Sequence, residues 1–227
     1  MADELQISTT GGVTRLILKA TPTPSLTIDP DCCCSGRVLF WLANSEFSVT
    51  MLGAEAIYTG MGLTVNYDTS WTGTLNDYAL VVWPFALTDP TWWSQISGDT
   101  WRGRLAVFGE HSGFPGTNTY LNSVSGVTGV TIVPDFIDGG CGKPGTVEPD
   151  ALTAGQTPNL YYGLTSQVSG GTTLSKTVTG AHPWIARSKP ATNTEFVVAG
   201  DSNWITDGCD ITVNTQFLKN LWTVPLL

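Results

Sequence analysis

Few residues in this chain have the type and spacing that chemistry needs. His111 is one of two histidines. It sits in Gly109-Glu110-His111-Ser112-Gly113, directly after the apolar run Leu105–Phe108. A run of that length suits a strand buried on both faces. Glycines two residues either side of a central residue permit a sharp strand-to-helix turn with its central side chain exposed above the sheet edge. In hydrolases that place holds a nucleophile; here it holds an imidazole. Glu110, and Asp201 at the end of the late run Glu195–Gly200, can supply carboxylates that orient a base or join it around a divalent metal. The plainer reading is a histidine whose hydrogen bonds stabilise a tight turn. Ser112 is a poor nucleophile candidate, because adjacent side chains on a turn point apart.

Other side chains have bland readings beside sharp ones. Asp201-Ser202-Asn203 reads as a cap for the turn after it. Trp92, Trp93 and Trp101 flank one helix and would either stack a sugar or pack that helix on a sheet. No phosphate loop or Gly-x-Gly-x-x-Gly motif occurs, so no nucleotide cofactor is expected. Cys32, Cys33 and Cys34 are consecutive, whereas zinc sites want spaced pairs. No metal is therefore expected. A disulfide from the run to Cys141 or Cys209 suits an oxidising compartment, and free thiols suit any other.

Those residues must be positioned by strands and helices that the pattern outlines. Arg37–Leu42, Leu63–Tyr67, Tyr78–Trp83 and Leu105–Phe108 read as buried strands. Helices are expected over Glu46–Gly60, capped by Asn44 or Ser45, and from Asp89-Pro90 to Ile96. This alternation predicts a doubly wound, mostly parallel α/β sheet with helices on both faces. Tyr67, Asp68, Phe85, Glu110 and His111 would share its carboxyl edge, where such sheets bind ligands. Beyond it, Thr117–Ser123 suits a helix and Val127–Val133 a strand. Asp135–Asp150 reads as a Gly/Pro-rich loop. Leu160–Tyr162, Thr172–Val178, Trp184–Ser188 and Glu195–Gly200 read as strands, and Asn214–Trp222 as a closing helix.

Residues 1–35 form a separate, extended β-type arm before a body at 36–227. Val13–Ala20, with Val13, Leu16 and Leu18, finds no obvious partner strand within the arm, and Pro22 and Pro24 keep the chain beyond it extended. An unpaired strand seeks an edge, so this one is expected to bind a neighbouring copy or another protein, the alternative being that it completes the body's own sheet.

Composition limits the partners. The net charge of −9 over 227 residues repels a nucleic-acid backbone. Only 13% of residues are charged, while Thr numbers 33, Ser 16 and Trp 9, a balance that suits an extracellular protein or part of a particle. No apolar run is long enough to span a membrane. The first ten residues carry two acids and no apolar core, so no signal peptide is expected.

The segments RVLFWL, GLTVNYDTS, DYALVVWPF and GRLAVFGEHSGF together resemble the class I glutamine amidotransferase-like (flavodoxin-like) fold. The nearest branch is the one with a Gly-x-His elbow found in trehalose-utilisation-like proteins. FVVAGDSNWITD…NTQFLKNLW is similar to the close of other members, so the resemblance covers about residues 36–225. It implies that His111 stands where the family has a nucleophilic Cys. The family's His-x-Glu pair is not matched, since His182 is followed by Pro183-Trp184. The expected function is therefore a non-catalytic structural or interaction protein on that scaffold, anchored by its arm in a larger assembly such as a virion or surface particle. The alternatives are a hydrolase-like enzyme acting on a carbohydrate or small molecule through His111, Glu110 and Asp201, and a sugar-binding module.

Overall fold

The computed structural model describes residues 4–10, 13–19, 36–46, 50–69, 73–156, 159–206 and 214–227. Cys32–Cys34, Phe47, Trp71 and Cys209 lie outside them. Two short strands, β1 (Glu4–Thr10) and β2 (Val13–Lys19), pair antiparallel as a two-stranded sheet of their own. Thr10 faces Val13, Ile7 faces Leu16 and Leu5 faces Leu18. The expectation of an unpaired arm strand is thus corrected: β2 finds its partner immediately before it in the chain. Gly11-Gly12, between the two strands, is a two-residue hairpin signal.

The body is built on a nine-stranded sheet. Its first half holds β3 (Arg37–Trp41), β4 (Thr64–Asp68), β5 (Leu80–Pro84), β6 (Arg104–Phe108) and β11 (Glu195–Ala199), side by side in the order β4-β3-β5-β6-β11 and all parallel. β3, β5, β6 and β11 read as near-continuous apolar runs because both their faces are covered, whereas β4, at the edge, is only partly buried. On one face Val38, Phe40, Val82, Phe108 and Val197 pack under α1 (Leu52–Gly60) and α5 (Thr215–Thr223). On the other, Leu39, Trp41, Trp83, Leu105 and Val198 pack under α2 (Trp93–Ser97) and α3 (Pro115–Ser123). Among the described residues no helix is long and apolar enough to cross a membrane.

The second half overturns the doubly wound, mostly parallel expectation. After β11 come β10 (Pro183–Ser188), β9 (Thr172–Lys176), β7 (Thr131–Val147) and β8 (Asn159–Ser169), every one antiparallel to its neighbour. Half of the eight pairings in the sheet are therefore antiparallel, and the helices are few and short. The fold is a mixed sheet. The reason lies in Asp135–Asp150. Its glycines and prolines read as a loop, yet most of it belongs to the seventeen-residue β7. Register shifts between Val133 and Asp138 and between Gly139 and Lys143 absorb those residues as bulges. No helix intervenes to carry the chain over, so it turns back antiparallel. Val127 also departs from expectation, falling in the short helix α4 (Ser125–Thr128) that precedes β7.

One buried ion network closes the amino ends of the central strands. Glu195 is wholly buried, and its two carboxylate oxygens take Arg104 Nε and, at 2.9 Å, Arg187 Nη2. Arg187 also donates to Asp150 Oδ1 at 2.9 Å. Burial alone would raise the Glu195 carboxyl, but the arginine bonds outweigh it and hold the group below its usual value. Removing one member strands the others' charges in the core, which typically costs about 3–5 kcal/mol. Glu195→Gln should accordingly lower the free energy of unfolding by about that much, read from urea titration.

Candidate functional site

The carboxyl ends of β3, β4, β5, β6 and β11 form one edge, and the loops leaving it hold every residue the sequence singled out as catalytic. In open parallel sheets a ligand crevice lies where strand order reverses, here between β3 and β5. That place is filled by the chain itself. Ser45 and Ala86 form a β-bridge. Glu46 N–H donates to Phe85 O at 2.8 Å, Leu87 N–H to Asn44 O at 2.7 Å, and Ser45 Oγ to Pro84 O at 2.8 Å. Asn44 and Phe85 accept positive φ angles of 55° and 51° to make this junction, an uncommon conformation for residues with a Cβ. The Glu46 carboxylate then takes the N–H groups of Gly116 and Thr117, at 3.2 and 2.6 Å, and so caps α3 from another loop. Asn44 and Ser45 are spent on this closure, and α1 begins only at Leu52.

Glu110 lies beside this closure. Its side chain turns away from the His111 ring and inward: Ser202 Oγ donates to Oε2 at 2.8 Å, and the backbone N–H of His111 donates to Oε1 at 3.0 Å. Its main chain is held as firmly. Asn118 Nδ2 and Ser166 Oγ donate to Glu110 O at 2.6 and 2.7 Å, and Glu110 N–H returns to Asn118 Oδ1 at 3.0 Å. Asp201 is wholly buried. It accepts the backbone N–H of Gly163 on Oδ2. On Oδ1 it accepts the backbone and side-chain N–H groups of Asn203, both at 2.8 Å. This is the turn-capping arrangement that Asp-Ser-Asn suggests. Burial raises both carboxyls, and the charge of Asp201 raises Glu110 further.

The His111 ring joins neither acid. Its Nδ1 accepts the N–H of Gly113 at 3.0 Å, and its ring meets Phe114 edge-on. Partial burial lowers its pKa. The expected elbow is also absent. Six residues separate Phe108 from Pro115, and His111 is not among the non-glycine residues with positive φ. The glycines that suggested the elbow serve packing: a Cβ at Gly109 would lie 2.6 Å from Asn118 Oδ1, and one at Gly113 would lie 2.5 Å from the His111 ring. Glu110, His111 and Asp201 therefore share one edge, with no hydrogen bond between the His111 ring and either carboxylate. Trp92 and Trp101 are fully buried and Trp93 nearly so, which assigns those rings to packing. Among the described residues no three His, Cys, Asp or Glu side chains are grouped to hold a metal. Cys141 is exposed on β7 and disulfide-bonded; the chain's other cysteines lie outside the described residues.

Sequence reasoning missed Glu46, Asn118 and Ser166. Glu46 looks like an acid in the first turn of its own helix. Nothing local in Asn118 or Ser166 tells of bonds to Glu110, eight and 56 residues away.

No protein-family model matches the chain, and no curated protein matches it either. Solved structures do. The N-terminal domain of IFT52 is similar over 84% of this chain and 100% of its own, at 12% identity and a TM-score of 0.59. A cytoplasmic protein of Salmonella typhimurium is similar over 82% and 95%, at 12% identity and a TM-score of 0.60. A β-galactosidase from Bacillus circulans sp. alkalophilus is similar over 82% of this chain but 30% of its own, at 12% identity and a TM-score of 0.52. Such identities show a shared fold alone. The expected Gly-x-His branch of the amidotransferase-like proteins is not singled out.

The geometry predicts two outcomes. Glu46→Ala leaves two helix N-terminal N–H groups without their cap and should cost about 1–2 kcal/mol in urea titration. Glu110 binds its proton more tightly folded than unfolded, because burial lifts its pKa to about 8. A raised folded pKa gives stability that is present at low pH and lost as pH rises toward that value. Stability should therefore fall between about pH 5 and about pH 8, and Glu110→Gln should flatten that fall, measured by urea midpoints across the range.

Proposed function

We propose that the chain is a non-catalytic structural or interaction domain that works through protein contacts within a larger assembly. One observation carries this reading: among the described residues the β3/β5 junction of the carboxyl edge is closed by its own loops, and Glu110 and Asp201 are spent on neighbouring N–H and hydroxyl groups. Glu110 and Asp201 are buried and accept hydrogen bonds on every carboxylate oxygen, so both are engaged in holding the loops together. Among the described residues no carboxylate bonds the His111 ring, and a general base of the hydrolase type needs one to orient it. The low share of charged residues and the Thr-rich composition fit a protein in contact with others. The disulfide at Cys141 fits an oxidising compartment.

The N-terminal hairpin is the proposed attachment. A two-stranded sheet is marginal by itself in water and gains from a third strand. Strand addition supplies main-chain bonds with little demand on side chains, which suits an arm that docks on an edge.

The experiment compares the full chain with residues 36–227 by light scattering and thermal melting. The full chain should associate, and the shortened body should stay folded and run as a monomer. His111→Ala should leave association intact and cost about 1 kcal/mol of stability. The reading fails if both forms are monomers, or if the chain turns over a glycoside or ester and His111→Ala abolishes that turnover while the fold persists.

A further inference from the structure

At the opposite end of β6 and β11 from Glu110, the ion network does more than pair charges. Arg104 is buried with only 2% of its surface accessible, and its guanidinium is aimed at the end of the chain. Nη1 donates to Leu221 O in the last turn of α5. Nη2 donates to Val224 O at 3.1 Å and Pro225 O at 3.3 Å. Arg187 Nη2 reaches Pro225 O at 3.5 Å. Glu195 Oε2, the oxygen that Arg187 holds, accepts the N–H of Leu227 at 2.8 Å. We propose that Arg104, Arg187 and Glu195 form a receptor for an extended peptide backbone, occupied in this structure by the chain's own Val224–Leu227.

Three features separate this from ordinary core packing. The segment is held by its main chain: Pro225 and Leu227 are exposed, with Leu227 58% accessible, and Val224 and Leu226 are only half-buried. Val224 packs against the core, and beyond it the segment is held through its backbone. The receptor is moreover incomplete without a backbone, since Arg104 Nη2 would lose both acceptors and Glu195 one donor. Buried charges with unmet hydrogen-bonding capacity are costly, so the site selects for an occupant. Finally, Pro225 suits the place. It fixes an extended chain and has no N–H to oppose the guanidinium groups.

These contacts define the ligand. It is an extended segment with two successive carbonyls and an N–H two residues further on, with proline at the second carbonyl. Side chains are read weakly, so an apolar peptide of this pattern fits whether tethered or free.

The test begins with the full chain. Hydrogen exchange at the Leu227 amide should be at least about tenfold slower than in the free peptide acetyl-Thr-Val-Pro-Leu-Leu. Exchange at the free-peptide rate would overturn the proposal. The second arm supplies the segment in trans. A chain ending at Thr223 should melt lower than the full chain and recover when that peptide is added in the millimolar range, the effective concentration that a tether provides. If the shortened chain does not fold alone, the readout is whether the peptide restores its circular dichroism and cooperative melt. The same peptide N-methylated at its last residue lacks the N–H that Glu195 accepts and should recover less. No recovery with the peptide, or equal recovery with the methylated form, rules out a receptor that reads the backbone.

Discussion

Glu195 and Arg104 face each other across β11 and β6 in the register of the sheet, and their ion pair lies in the core. β11 is the seam of the molecule, parallel to β6 on one side and antiparallel to β10 on the other. A one-residue slip of either neighbour would move its side chains to the opposite face and separate two buried charges. Arg187, from β10, closes on the same carboxylate. The network therefore specifies how the parallel and antiparallel halves meet, a matter on which apolar strands alone are indifferent. Arg104 stays protonated even though burial lowers its pKa, so the pairing persists across ordinary pH.

The two ends of these strands use polarity differently. At the amino ends, charge is buried to fix register and hold the last segment of the chain. At the carboxyl ends, polar groups close the loops on one another. Gly200 must be glycine there, because a Cβ would fall 2.1 Å from Ser166 O as β8 crosses against it. That approach brings Ser166 to Glu110 and Gly163 to Asp201, tying the antiparallel half to the loops of the parallel half. Acids that would serve chemistry in an open crevice serve here as acceptors for backbone N–H groups that would otherwise be buried without partners.

β3, β5, β6 and β11 were legible because each is a short apolar run bounded by polar or turn residues, and burial on both faces requires that composition. The closing helix was legible from the spacing of Phe217, Leu218 and Leu221, all buried. β7 was not. Its glycines and prolines break the alternation that marks a strand, and bulges make such a segment tolerable only where a partner strand is already present. The elbow expected around His111 failed in a related way, although the hydrogen bond that its ring makes within the turn is present. Gly109 and Gly113 look like local signals for a strained turn, whereas Gly109 leaves room for Asn118 and Ile132, which folding brings against it, and Gly113 for the nearby His111 ring.

What the sequence by itself determined is local: which stretches are apolar enough to be buried, where Asp201-Ser202-Asn203 turns, and that the chain is acidic and poor in charge. Tertiary structure decided the rest. It decided that the sheet is mixed, that Glu46 caps a helix seventy residues on, that Glu110 faces Ser202 rather than the His111 ring, and that two arginines meet one glutamate. The physical reason is common to all four. Each depends on hydrogen bonds or ion pairs between residues far apart in the chain, whose energy exists only once burial has removed the competing water.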